Sequence, residues 1–211
     1  MANAITLSRI PLLILVVILL TEGSPGVRIA TMPLVLILIL MDTLDGIVAR
    51  RRGEVSLVGS KLDIAVDRAV ELVLWVVYAK LGMIPLAIPV IFIIRGTVVD
   101  SVRSFSLLRG ETPFGMMHSR WGKWLVASPA MRTSYGVAKG LAFCTLALAL
   151  GLGGTDATAW ARGMKLFAQV VSWISTAYCI IRGVPVLVEG RSLLADVVAG
   201  SPAVDADEAD R

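Results

Sequence analysis

The chain has 211 residues, a formal net charge of +4, a 56% share of hydrophobic residues and a mean hydropathy of +0.81. A water-soluble domain of this length is far more polar, and the 17% of charged residues are clustered between long apolar runs. The composition therefore excludes an ordinary soluble domain and leaves an all-α, polytopic membrane protein, with no nucleic-acid partner expected.

A spanning helix needs about 20 mostly apolar residues. Six segments qualify: Ile5–Thr21, Arg28–Arg51, Leu57–Leu81, Pro85–Leu108, Arg132–Leu152 and Met164–Ile181. Within the first, Arg9 followed by the apolar run Ile10–Leu20 resembles a signal peptide. Thr21 to Gly26 has no good small-residue cleavage pattern, so the segment is read as a first transmembrane helix. Gly and Pro punctuate the gaps at Gly23–Gly26, Gly53, Gly82 and Pro85, Gly110–Pro113 and Gly151–Gly154. Cys144 and Cys179 both lie in apolar runs and support neither a disulfide framework nor a thiolate metal site. The lone His118 falls in a polar loop and reads as a solvated side chain. Residues 1–190 form one six-helix catalytic domain in this reading, and 191–211 form a polar, acidic, disordered tail.

Basic residues set the orientation. The gap after the second span carries Arg50, Arg51, Arg52 and Lys61, and the gap after the fourth carries Arg109, Arg120, Lys123 and Arg132. The opposite gaps carry fewer: Arg28, then Lys80, then Arg162 and Lys165. Both basic gaps and both termini are thus expected in the cytoplasm. Short loops and small size suggest a prokaryotic plasma membrane.

Four aspartates fall inside the predicted spans: Asp42, Asp45, Asp63 and Asp67. Each ionised carboxylate near mid-bilayer costs about 2.5–3.5 kcal/mol, and four cost about 10 kcal/mol before compensation. Asp42, Asp45, Gly46 and Ala49 follow i, i+3, i+4, i+7 and share one helix face. Gly59, Asp63 and Asp67 follow i, i+4, i+8 and share another. With a turn near residues 52–56, the two helices run antiparallel. At 1.5 Å per residue Asp45 lies about 9 Å in from Arg51 and Asp63 about 9 Å in from Leu57; Asp42 and Asp67 lie about 13 and 15 Å in. All four carboxylates can then converge on one point open to cytoplasmic water. Hard oxygen donors in such a set suit two divalent ions, Mg²⁺ or Mn²⁺, and two such ions suit a phosphoryl displacement. Gly46 and Gly59 leave room on those faces for a bulky ligand, and Arg50, one turn beyond Gly46, is placed to meet a phosphate.

Read in order, the segment is Asp42-x2-Asp45-Gly46-x2-Ala49-Arg50-x8-Gly59-x3-Asp63-x3-Asp67. It resembles the signature of the CDP-alcohol phosphotransferase family at every defined position. Asn3, Thr6 and Arg9 look like the Asn-x-x-Thr-x-x-Arg opening of many members. The resemblance implies a six-helix membrane fold and transfer of a phosphatidyl or similar group from a CDP-linked lipid donor to a small hydroxyl acceptor, with release of CMP. It implies that Asp42, Asp45, Asp63 and Asp67 ligate the metals and that Asp67 is also the general base. It assigns Asp42, Gly46, Ala49, Arg50 and Gly59 to the CDP donor, and it implies a homodimer.

Charges outside the motif bear on the acceptor. Arg95, Arg103, Arg132, Lys139 and Arg182 lie near the same predicted membrane side and suit an acceptor with its own phosphate, such as glycerol 3-phosphate or inositol phosphate. Arg95 is too deep for easy snorkelling and leads the set. The opening is similar to phosphatidylglycerophosphate synthases, whereas the Asp67-Arg68 ending is similar to inositol-type enzymes. Two rival readings use the same acids. An intramembrane prenyltransferase places its acidic motifs on distant helices and has a longer chain. A cation or proton transporter needs a polar path through the far halves of the helices, where Leu34–Leu40 and, apart from Glu71, Val70–Val77 are apolar.

Overall fold

A computed structural model describes residues 2–52, 57–108, 124–125, 128–153 and 159–189. They form six long helices, and the described residues contain no strand: α1 (Ala2–Glu22), α2 (Pro25–Arg52), α3 (Leu57–Lys80), α4 (Ala87–Leu108), α5 (Pro129–Leu152) and α6 (Ala159–Glu189). The six predicted segments match these helices one for one. The ends of the first five agree to within a turn, and α6 is far longer than the predicted 164–181. It begins ahead of the predicted start, with Trp160 and Arg162, and runs past Ile181 to Glu189, so the helix extends beyond both ends of the apolar band. Backbone hydrogen bonding, not hydropathy, decides where a helix stops. Along the described residues, Pro129–Leu152 and Ala159–Val188 are long and apolar enough to cross a membrane. His118 and the 191–211 tail lie outside the described residues.

The helix ends carry readable signals. Ser24 precedes Pro25 at the first position of α2, and its carbonyl accepts the Arg28 amide at 2.9 Å. At the end of α3, Gly82 adopts φ 68°. The Met83 amide donates to Tyr78 O and the Gly82 amide to Ala79 O, both at 3.0 Å, which is a Schellman cap.

The chain divides into two compact units, and α4, α5 and α6 each contribute a segment to both. The first comprises Met1–Ile93 and Ser134–Ala177. Here α1 packs on both α2 and α3. Its buried face is Thr6, Arg9, Leu13, Val16 and Leu20, a spacing of three and four residues that keeps one stripe inward. The centre is aromatic: Trp75 lies 4.8 Å from Phe92 and 4.5 Å from Phe143, ring centroid to ring centroid. The buried Tyr78 hydroxyl donates to Phe143 O at 2.9 Å, so its polar end is satisfied. Gly151 of α5 meets the start of α2 so closely that an added Cβ would lie 2.8 Å from Ile29 N. On α6, Ser172 and Thr176 are buried and return their hydroxyls to Ala168 O and Ser172 O. Small residues with internally satisfied hydroxyls let membrane helices approach closely.

The second unit comprises Ile94–Thr133 and Tyr178–Arg211, described here through its helical parts. Val99, Val102, Cys179 and Val186 are buried in it. Arg182, also buried, donates from Nη1 to Met131 O at 2.9 Å and ties α6 to the first turn of α5. Gly183 leaves the space that Arg95 occupies: a Cβ there would sit 2.9 Å from Arg95 Cγ.

Candidate active site

The site is built on α3. Helical spacing puts Gly59, Asp63 and Asp67 on one face, as predicted, and Glu71 continues the series by a further turn. The three acids differ sharply in surroundings. Asp63 and Asp67 are about half exposed, at 40% and 44% of the side chain, whereas Glu71 is only 4% exposed. The ladder thus runs from an open mouth to a closed floor.

A cation from another helix meets the mouth. Arg9 of α1 is 1% exposed, with Nη1 3.9 Å from Asp63 Oδ1 and Nη2 3.6 Å from Asp67 Oδ1. One guanidinium thus faces both carboxylates. A tight charge-assisted pair closes to about 2.7–2.9 Å. At these longer separations Arg9 balances the charge of both carboxylates without closing into a tight pair with either. The sequence reading quoted Arg9 only as part of the N-terminal pattern and gave it no role. The signal that could have found it is the apolar stripe of α1, which runs through Thr6 and Arg9.

The floor is a charge network that the sequence reading also missed. Glu71 Oε1 lies 3.0 Å from Lys139 Nζ and accepts the Tyr135 hydroxyl at 3.3 Å; its Oε2 lies 3.2 Å from Arg68 Nη1. Lys139 also lies over the Tyr135 ring, 4.7 Å from its centroid. In the sequence Glu71 reads as an isolated polar residue in an apolar run, although it stands four residues after Asp67. A buried carboxylate is tolerable only when paired and hydrogen-bonded, and Glu71 is both. Removing it alone strands Lys139, at a cost of about 3–5 kcal/mol. Glu71→Leu should therefore lower the apparent melting temperature in detergent strongly. Glu71→Leu combined with Lys139→Leu should recover part of the loss. Equal melting of the single and double variants would show that the two residues are not coupled.

The other predicted site residues divide by location. Asp42, Asp45, Gly46, Ala49 and Arg50 all lie in α2, which stays helical to Arg52, but the side chains of this stretch fall outside the described residues. Arg103 lies in α4 with its side chain likewise outside them. Lys139 is engaged by Glu71 in the first unit. Within the second unit, Arg95 lies against Gly183 and Arg182 on Met131 O, while Arg132 is exposed.

Among the described residues no three His, Cys, Asp or Glu side chains gather as a metal cluster. Asp63 and Asp67 supply a pair of hard oxygen donors, accessible from one side and backed by a cation. That donor chemistry fits a divalent ion whose remaining ligands come from elsewhere.

Two helices long and apolar enough to cross a membrane, with a solvent-accessible acidic pair backed by a cation, point to an integral membrane protein whose carboxylates can hold a cation. The family model for CDP-alcohol phosphatidyltransferases matches residues 1–181, and the chain belongs to that family. It is therefore a metal-dependent membrane enzyme that transfers a phosphoalcohol group from a CDP-alcohol to an alcohol acceptor. No curated protein matches the chain significantly.

Proposed function

We propose that this enzyme transfers a phosphatidyl group from CDP-diacylglycerol to a polyol phosphate, glycerol 3-phosphate or inositol phosphate, and releases CMP. The observation that carries this reading is the pair Asp63 and Asp67, half exposed on one face of α3 and faced by the buried Arg9. In the reading, the six helices all span the membrane, residues 1–190 form the catalytic domain, and the carboxylates face the cytoplasm.

Asp42, Asp45, Asp63 and Asp67 would hold two divalent ions, Mg²⁺ or Mn²⁺. When bound, these ions neutralise the diphosphate and the developing charge. Gly46, Ala49 and Gly59 offer surface without bulk to the donor, with Asp42 and Arg50 as its polar contacts. Asp67 takes the proton from the acceptor hydroxyl. The hydroxyl oxygen forms a bond to the β-phosphorus, the bond from that phosphorus to the CMP oxygen breaks, and CMP leaves with the electron pair. Arg9 holds Asp63 and Asp67 at fixed separation while this happens. The basic side chains of Arg95, Arg103, Arg132, Lys139 and Arg182 supply the acceptor's phosphate site, with Arg95 first among them.

Purified protein with CDP-diacylglycerol and Mn²⁺ or Mg²⁺ should release CMP with glycerol 3-phosphate or inositol phosphate, and far less with inositol or serine. Turnover confined to unphosphorylated acceptors would sink the acceptor assignment. Release of pyrophosphate in place of CMP would sink the chemistry. Arg95→Ala should raise the acceptor KM about tenfold or more and leave the donor KM nearly unchanged, since one charge-assisted contact is worth about 1.5–3 kcal/mol. An unaltered acceptor KM removes Arg95 from the site.

A further inference from the structure

A second concave site lies at the other end of the first unit. It is a cleft of about 370 Å³ lined by Arg28, Met83, Ala149, Leu150, Gly153, Ala161, Arg162 and Lys165. These residues come from the start of α2, the turn after α3, the end of α5 and the start of α6. The catalytic acids lie toward the opposite helix ends: from Asp67 to Lys80 alone α3 rises about 20 Å. The cleft is thus separate from the carboxylate site and, in the orientation of the proposed function, lies on the opposite side of the membrane.

Three cations line it, on the membrane side that carries the fewer basic residues. Among the described residues none of the three pairs with a carboxylate. Arg28 is held in place because its Nη2 donates to Thr21 O at 2.8 Å. Its Nε is buried and has no partner among the described residues. A fixed guanidinium with an unused buried donor is a costly arrangement unless an anion completes it. The lining also includes the buried Met83, Ala149, Leu150 and Ala161. Beside it, Trp160, Leu166 and Phe167 of α6 are exposed, Trp160 at 68%. Aromatic and aliphatic side chains flanking cations at a helix end match the boundary between headgroups and acyl chains.

We propose that this cleft binds the phosphodiester of an anionic phospholipid from the leaflet opposite the catalytic carboxylates. Arg28, Arg162 and Lys165 take the phosphate, the apolar lining takes the glycerol, and the exposed face of α6 takes the acyl chains. A free phosphate would use the cations and leave that apolar face idle, which favours the lipid. The site goes beyond the proposed transfer reaction and needs neither donor nor metal.

The test uses the full chain in detergent with EDTA and no CDP donor, following thermal unfolding by tryptophan fluorescence. Phosphatidylglycerol should raise the melting temperature by about 3 °C or more near saturation, and phosphatidylcholine should not. The variant Arg162→Gln/Lys165→Gln changes two exposed side chains, so it should fold; it should lose the phosphatidylglycerol shift and keep CMP release in phosphatidylcholine micelles. A shift that survives in the double variant, or that phosphatidylcholine or inorganic phosphate at equal ionic strength produces equally, overturns the proposal. Loss of the lipid shift with CMP release intact separates this site from the catalytic one.

Discussion

Asp67→Asn should reduce CMP release by about 10³-fold or more, with the apparent melting temperature little changed. Asparagine keeps the shape of the side chain and cannot accept a proton. Loss of a positioned general base alone removes about 10²–10⁴ in rate, and one anionic metal ligand disappears with it. In free-energy terms a 10³-fold loss is about 4 kcal/mol of transition-state stabilisation. Asp67 is 44% exposed, and Arg9 still has Asp63 as a counter-charge, so the fold should tolerate the change. Turnover at the normal rate would show that the proton goes elsewhere.

Arg9→Leu should be nearly as damaging, by a different route. Arg9 touches both carboxylates and carries no expected chemistry of its own, so it is a positioning residue. Its removal frees the two acids to move apart by side-chain rotation, and misplacement of about 1 Å costs about 10²-fold in rate. It also deletes a positive charge that competes with bound cations for the same oxygens. The half-saturating Mn²⁺ concentration should therefore fall while kcat falls. That split distinguishes positioning from simple unfolding, which would lower the active fraction without tightening metal binding. Arg9→Lys keeps the charge but gives up the fork that reaches two carboxylates, and it should recover only part of the rate. A variant with unchanged kcat would remove Arg9 from the site.

The helices themselves were largely legible in the sequence, because an apolar run of spanning length has few other fates. The ends were less so. The first turn of α6 carries Trp160 and Arg162, ahead of the predicted start at Met164, and their backbone groups belong to the same helical ladder. The face shared by Asp63 and Asp67 followed from spacing alone, since a helix fixes the angle between residues four apart. What lies opposite that face did not follow. Arg9 is far from Asp63 in the chain, and only the packing of α1 on α3 brings them together. Glu71 was misjudged because it was weighed as one polar residue in an apolar stretch, when its partner Lys139 sits on a helix two elements further along. Local periodicity names the residues of one face, and tertiary packing names their partners.

The placement of Arg9 has a bearing on how the protein is made. The ribosome delivers α1 well before α3, so this cation enters the translocation machinery ahead of the acids that will neutralise it. Until α3 follows, α1 carries this charge without Asp63 and Asp67 and is a more reluctant membrane segment. Stable integration of the first helix then becomes a joint event with the third.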